Sequence, residues 1–184
     1  ANFSLNQYLL TVNAGSGGSA SGNGTFTHGA TATITATPEQ GYSFNSWSGQ
    51  GIAKTSEAST TVSMTDNRIV GATFAPLIHS ISTMVSPNGT GEVSGAGNYQ
   101  FGDNLTLTAT ATSAGYSFLS WSGDLNSSVN PLAIQVDANL SLTANFRLDA
   151  YSLELISGAG GTVSGEGNFS HGTQANISAH ALLG

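Results

Sequence analysis

The sequence predicts a mainly β protein built from tandem modules of about 70 residues, with little or no helix. Three observations carry that prediction. The nine residues Gly41-Tyr42-Ser43-Phe44-Asn45-Ser46-Trp47-Ser48-Gly49 return 74 positions later as Gly115-Tyr116-Ser117-Phe118-Leu119-Ser120-Trp121-Ser122-Gly123, with a single change. Ala72-Thr73-Phe74 and Ala144-Asn145-Phe146 close the pattern around each copy. Between these landmarks apolar residues alternate with threonine and serine at the two-residue period of a strand, and Gly- and Asn-rich turns separate the runs.

The register divides the chain into residues 1–6, the last strand of a preceding repeat; 7–76, repeat 1; 77–148, repeat 2; and 149–184, an incomplete repeat 3. The first assignment rests on Phe3, which falls in step with Phe74 and Phe146. In repeat 1, Tyr8, Leu10 and Val12 share one face of the opening strand. A turn from Asn13 to Gly18 follows, because Gly and Asn reverse the chain at least steric cost. A second strand runs through Gly22-Asn23-Gly24 to Phe26, and His28-Gly29 turns the chain again. Over Ala30 to Thr37, Ala32, Ile34 and Ala36 face inward and the threonines outward, where a β-branched hydroxyl side chain suits a wet pleated surface.

After the turn Pro38-Glu39-Gln40, Tyr42 and Phe44 share a face, but Trp47 has the wrong parity. A bulge or bend at Asn45-Ser46 would return the indole to the core. The loop from Gly51 to Ala58 is the best place for one short helical turn. A closing hairpin then places Thr60, Val62 and Met64 inward, turns at Asp66-Asn67, and places Val70, Ala72 and Phe74 inward.

Repeat 2 copies this plan with larger side chains. Leu105 and Leu107 replace Ala32 and Ile34; Leu132, Ile134 and Val136 replace Thr60, Val62 and Met64; Leu140 and Leu142 replace Arg68 and Val70. Each large apolar side chain contributes about 1.5–3 kcal/mol if fully buried, so repeat 2 is expected to be the more stable copy. Repeat 3 follows the pattern from Tyr151 through Gly165 to Gly172, with Ala175, Ile177 and Ala179 alternating. Gly184 arrives where the Gly-Tyr-Ser-Phe block should start, so this copy is expected to be held by repeat 2, by another chain, or poorly.

The composition narrows the function classes. Charged residues make up 7% of the chain, three basic against ten acidic for a net charge of −7, where an average soluble domain has roughly 25%. Lys54, Arg68 and Arg147 are isolated and form no basic stripe, which argues against nucleic acid. No apolar run approaches the roughly 20 residues of a membrane span, so no membrane insertion is expected of this stretch. With no cysteine, disulfides and thiolate zinc sites are excluded. A module of about 70 residues buries only about 60% of its unfolded surface, so bracing must come from neighbouring repeats or from packed aromatics.

At the Gly41-Tyr42-x-Phe44-x-x-Trp47-x-Gly49 block and the Ala72-Thr73-Phe74 ending, with their counterparts Gly115, Tyr116, Phe118, Trp121, Gly123 and Ala144-Asn145-Phe146, the chain resembles the divergent internalin-type B-repeat, a bacterial repeat domain found in tandem. The resemblance covers nearly the whole chain. It implies a small β-grasp-like module arrayed in a stalk, and an extracellular or cell-surface bacterial setting. The family pattern marks structural positions, so it implies no catalytic, cofactor or metal residues.

The residues themselves point the same way. Fourteen of the fifteen aromatics recur at positions aromatic in at least two repeats: Phe3/Phe74/Phe146, Phe26/Tyr99/Phe169, Tyr8/Tyr151, Tyr42/Tyr116, Phe44/Phe118 and Trp47/Trp121. Rings that recur with inward parity read as core, and Tyr42, Phe44, Trp47, Phe74, Tyr116, Phe118, Trp121 and Phe146 are the expected core anchors. Phe101 alone has no aromatic counterpart; it stands at the position of His28, as a filler there or as an exposed contact. His28 and His171 each precede a turn glycine, and His79 and His180 stand apart, with no ligand spacing for zinc. The carboxylates show no calcium-loop pattern, no Gly-x-Ser-x-Gly elbow occurs, and Gly22-Asn23-Gly24 and Gly165-Glu166-Gly167 precede no helix that would make a phosphate cradle.

The expected role is therefore a non-catalytic structural stalk or spacer of a bacterial cell-surface or secreted protein, adhesin-like, without cofactor. Its partners would be neighbouring repeats of the same chain, with any glycan or host-surface ligand unidentified. Short connections, one stiffened by Pro76, and Leu5 and Leu148 as packing residues between repeats, would make an extended semi-rigid array. The rival reading is a carbohydrate-binding or accessory module of a secreted polysaccharide-degrading enzyme, which would need exposed rings for sugar stacking.

Overall fold

The computed structural model describes residues 4–182, and among them the chain forms eighteen strands and no helix. Two compact units result: one takes in the residues through His79 with Asn98–Asp103 and Val136–Ala138, the other Ser80–Gly97, Asn104–Gln135 and the chain from Asn139 on. Of the expected strand over residues 1–6, Ala1 to Phe3 lie outside the described residues and Ser4 to Asn6 are irregular.

Repeat 1 contributes β1 (Gln7–Ala14), β2 (Gly18–Ser21), β3 (Gly24–Thr27), β4 (Ala30–Pro38), β5 (Tyr42–Ser48), β6 (Ser59–Met64) and β7 (Arg68–Pro76). These pair into a four-stranded sheet ordered β3-β1-β7-β5 and a three-stranded sheet ordered β2-β4-β6. The first and last strands run parallel at the centre of the larger sheet, from Leu10 opposite Arg68 to Ala14 opposite Ala72. Every other neighbouring pair is antiparallel. A parallel central pair flanked by antiparallel edges is the arrangement of a β-grasp sheet.

Period-two alternation decides the packing. Leu10, Val12, Trp47, Val70 and Ala72 of the larger sheet form one buried cluster with Ala32, Ile34, Ala36, Val62 and Met64 of the smaller one. The alternate residues of β4, Thr31, Thr33 and Thr37, are exposed.

Three details depart from the sequence reading. The second strand is two strands in different sheets, because the chain crosses at Gly22, whose φ of +121° suits only glycine. The Asn23 Oδ1 then accepts the Val12 N–H at 2.8 Å. Nor is there a closing hairpin. β6 pairs with β4, and β7 crosses to lie beside β1 and β5, so the apolar faces of the two strands oppose each other across the core instead of lining one sheet. At the crossing, Asn67 Oδ1 accepts the Leu9 N–H at 2.8 Å. The segment 51–58 makes no helical turn, since its groups are drawn to the sheets: Ile52 bridges Val62, and the Thr55 carbonyl accepts the Trp47 N–H.

Repeat 2 builds β8 (Ile78–Ser86), β9 (Gly91–Ser94), β10 (Gly97–Gln100), β11 (Asn104–Ala111), β12 (Tyr116–Gly123), β13 (Leu132–Gln135) and β14 (Leu140–Leu148), ordered β10-β8-β14-β12 and β13-β11-β9. β8 and β14 are again parallel, and Asn139 Oδ1 accepts the Ser80 N–H at 2.8 Å as Asn67 does for Leu9. Ile81, Leu105, Leu107, Ala109, Trp121, Leu142, Ala144 and Phe146 are buried, while Leu132, Ile134 and Leu140 are half-buried.

Repeat 3 consists of two strand pairs, β15 (Ala150–Leu153) with β17 (Gly167–Ser170) and β16 (Gly161–Ser164) with β18 (Ser178–Ala181). The expected alternation of Ala175, Ile177 and Ala179 is not realised as one strand, because pairing starts only at Ser178 and Ile177 is exposed.

Candidate functional site

Two constructions recur along the chain, an aromatic anchor within each repeat and a ring-on-glycine contact where one repeat meets the next. The anchor begins with the bulge. The register of β5 on β7 shifts between Phe44 and Ser46, and that of β12 on β14 between Phe118 and Ser120, which sets Trp47 opposite Ala72 and Trp121 opposite Ala144. The extra residue is what turns each indole inward, as the parity argument requires.

Once inside, the indoles are almost sealed, 3% exposed at Trp47 and 1% at Trp121. Each Nε1–H donates at 3.0 Å to a loop carbonyl, Glu57 in repeat 1 and Val129 in repeat 2. Phe44 lies 5.7 Å from Trp47 and edge-on to Phe74 at 6.2 Å; Phe118 lies 5.5 Å from Trp121 and edge-on to Phe146 at 6.0 Å. Tilted and edge-to-face geometries of this kind favour the ring quadrupoles.

Phe146 is buried with the tryptophans, and Phe44, Phe74, Phe118 and Tyr116 are half-buried. Tyr42 is not a core residue. It is 37% exposed and pairs with Pro76 at the end of the sandwich, where its ring lies over Gly17, so close that a methyl group there would overlap it. Leu5 and Leu148, the expected packing residues, are likewise exposed.

The junction is built by other residues. In the first compact unit, the Leu77 N–H donates to the Gly41 carbonyl at 2.7 Å and the Phe101 N–H to the Leu77 carbonyl at 2.9 Å. In the second, Asp149 donates to Gly115 at 2.7 Å and His171 to Asp149 at 2.8 Å. Over each glycine lies a ring, Phe101 on Gly41 and His171 on Gly115, and a Cβ at either glycine would overlap it. The ring is itself backed by another: His79 lies 6.3 Å from Phe101 and Tyr151 6.2 Å from His171. Tyr8 and His28 repeat the pair at 5.8 Å.

This arrangement accounts for Phe101. Each repeat pairs one histidine with one phenyl-type ring, and in repeat 2 the two have exchanged places. His79 takes the place of Tyr8 and Tyr151, a position hidden by its change of residue type and signalled only by the two-residue offset from Ile81 that Tyr8 has from Leu10.

The ionisable groups mostly serve turns. Asp66 Oδ1 accepts the Asn67 N–H, Asp103 Oδ2 that of Gln100, and Asp124 Oδ2 that of Ser141, all at 2.7–2.8 Å. Asp149 Oδ1 accepts the Ser117 hydroxyl at 2.6 Å. No three or more His, Asp or Glu side chains among the described residues converge as a metal site. His180 lies on a cavity of about 370 Å³ lined by Ile156, Gly160, Thr162 and Val163, in the two-stranded layer of repeat 3.

No curated protein and no solved structure matches the chain. The model of the divergent InlB B-repeat domain, a repeat domain of bacterial surface proteins, matches three tandem segments, residues 8–77, 81–150 and 151–184. Matched over nearly its whole length, the chain belongs to the divergent InlB B-repeat domain family.

Proposed function

We propose that this chain is a non-catalytic spacer, a stalk segment of an adhesin-like bacterial protein on the cell surface or secreted from it. Residues 7–76, 77–148 and 149–184 act as successive repeats whose partners are one another. The observation that carries this reading is the fate of the aromatic anchor. A sugar-stacking platform presents ring faces to solvent, whereas Trp47 and Trp121 have theirs inside the sandwich and their N–H groups bonded to loop carbonyls. The family's membership in bacterial surface proteins and the backbone bridges at Leu77 and Asp149 support it further.

Small-angle scattering of the intact chain tests the spacer role, with an extended particle expected and a compact globule overturning it. Tryptophan emission titrated with oligosaccharides tests the binding reading. Emission that does not respond agrees with a spacer; quenching or a shift that saturates would replace it with a carbohydrate-binding module.

A further inference from the structure

The two occupied junctions define a lock and a key. The lock is the turn glycine of one repeat, Gly41 or Gly115, whose carbonyl accepts the N–H of the linking residue and which has no side chain in the way. The key is the ring at the β3–β4 or equivalent turn of the next repeat, Phe101 or His171, with the linking residue Leu77 or Asp149 hydrogen-bonded to both sides. Repeat 1 carries the same key. The His28 N–H donates to the Asn6 carbonyl at 2.8 Å, as Phe101 does to Leu77 and His171 to Asp149, and the His28 ring is backed by Tyr8. His28 is exposed, and among the described residues the Asn6 N–H has no acceptor where Leu77 and Asp149 have Gly41 and Gly115.

We propose that the His28–Asn6 edge of repeat 1 is a docking surface for the glycine–tyrosine turn of a further repeat of this kind. The turn's glycine would pass under the His28 ring, and its carbonyl would accept the Asn6 N–H. The inference rests on the reading of the chain as a repeat array, and continuity with the two occupied junctions selects the occupant. Only glycine fits the lock: Gly41 and Gly115 have φ of +82° and +74°, and a Cβ there would overlap the key ring. A turn carrying any other residue would be refused twice, by backbone strain and by overlap.

The test compares the full chain with an extended chain in which a copy of residues 7–76 stands directly ahead of Asn6, the position that matches Leu77. Amide exchange at Asn6, followed by NMR, should slow by roughly fivefold or more in the extended chain, the factor one net backbone hydrogen bond supplies. Gly41→Ala in the added copy should restore the faster exchange, with the emission of that copy's Trp47 reporting whether it remains folded. His28→Ala, an exposed substitution that leaves the added copy untouched, should also reduce the protection. Asn6 exchange unchanged by the added copy, or protection indifferent to both substitutions, would overturn the proposal. Scattering from the unmodified chain judges the spacer role separately, so either idea can fail while the other stands.

Discussion

The Phe101 ring lies directly over the backbone of Gly41, close enough that a methyl group on Gly41 would overlap the ring. Two costs are therefore expected for Gly41→Ala, a left-handed backbone worth about 1–2 kcal/mol for a non-glycine residue and displacement of the ring. Gly89 separates them. Its φ of +80° almost equals the +82° of Gly41, but nothing lies within 4 Å of a Cβ there. Denaturant unfolding should show Gly41→Ala the more destabilising of the two, and only Gly41→Ala should accelerate amide exchange at Leu77 and Phe101. Equal losses at both sites would mean the ring contributes nothing.

The indole N–H groups are the next point of leverage. Trp121→Phe keeps an aromatic ring in the core but leaves the Val129 carbonyl without its donor and a small void beside it. Val129 is itself 62% exposed and the bond only part-buried, so the unpaired acceptor should cost about 1 kcal/mol, the low end of the range for a stranded group. Trp121→Ala, in contrast, should cost about 3–5 kcal/mol. Chemical denaturation of the variants measures both. A Phe variant as stable as the parent would show that the carbonyl finds water once the indole is gone.

Much of this architecture could be read from the chain alone because it depends on local rules. Side-chain parity marked Leu10, Val12, Ala32, Ile34 and Val70 as inward, and the misplaced parity of Trp47 called for the bulge seen between Phe44 and Ser46. Strand partnership is less local. Nothing in the spacing of Val62 and Val70 says that β6 and β7 belong to different sheets, since a hairpin and a crossover place the same residues inward. Tyr42 misled for a related reason: sharing a face with Phe44 does not put it at the same depth, and at the end of β5 the core has run out. The junction was hidden because its key is a position, not a residue type, filled by phenylalanine once and histidine twice.

Repeat 2 should outlast repeat 1 in native-state hydrogen exchange. Leu107 and Leu142 are fully buried in the second sandwich, and Leu140 takes the place of Arg68, whose guanidinium reaches out to the Ser63 carbonyl and the Thr65 hydroxyl. Amides of β11 and β14 are expected to exchange more slowly than those of β4 and β7. Leu142→Ala should remove about 2–5 kcal/mol. The reverse order of protection would mean that burial of the added side chains is offset by poorer packing.

Asn130 provides the sharpest contrast between the two copies. Its side chain acts as a strand partner for Ala109, with Oδ1 accepting the Ala109 N–H at 2.9 Å and Nδ2 donating to the Ala109 carbonyl at 2.7 Å. At the matching position of repeat 1 the Ala36 N–H is bonded to a main-chain group, the Ala58 carbonyl, at 2.8 Å. Asn130→Ala thus strands the N–H and the carbonyl of the buried Ala109, and a loss of about 1–3 kcal/mol is expected. Asn130→Asp keeps the acceptor but cannot donate to the Ala109 carbonyl, so it should fall short of the parent. Substitution of the Ala58 side chain cannot break the corresponding bond in repeat 1, because a main-chain carbonyl supplies it. Should Asn130→Ala unfold at the parent's denaturant midpoint, solvent must reach Ala109, and the clamp would set the path of the loop without adding stability.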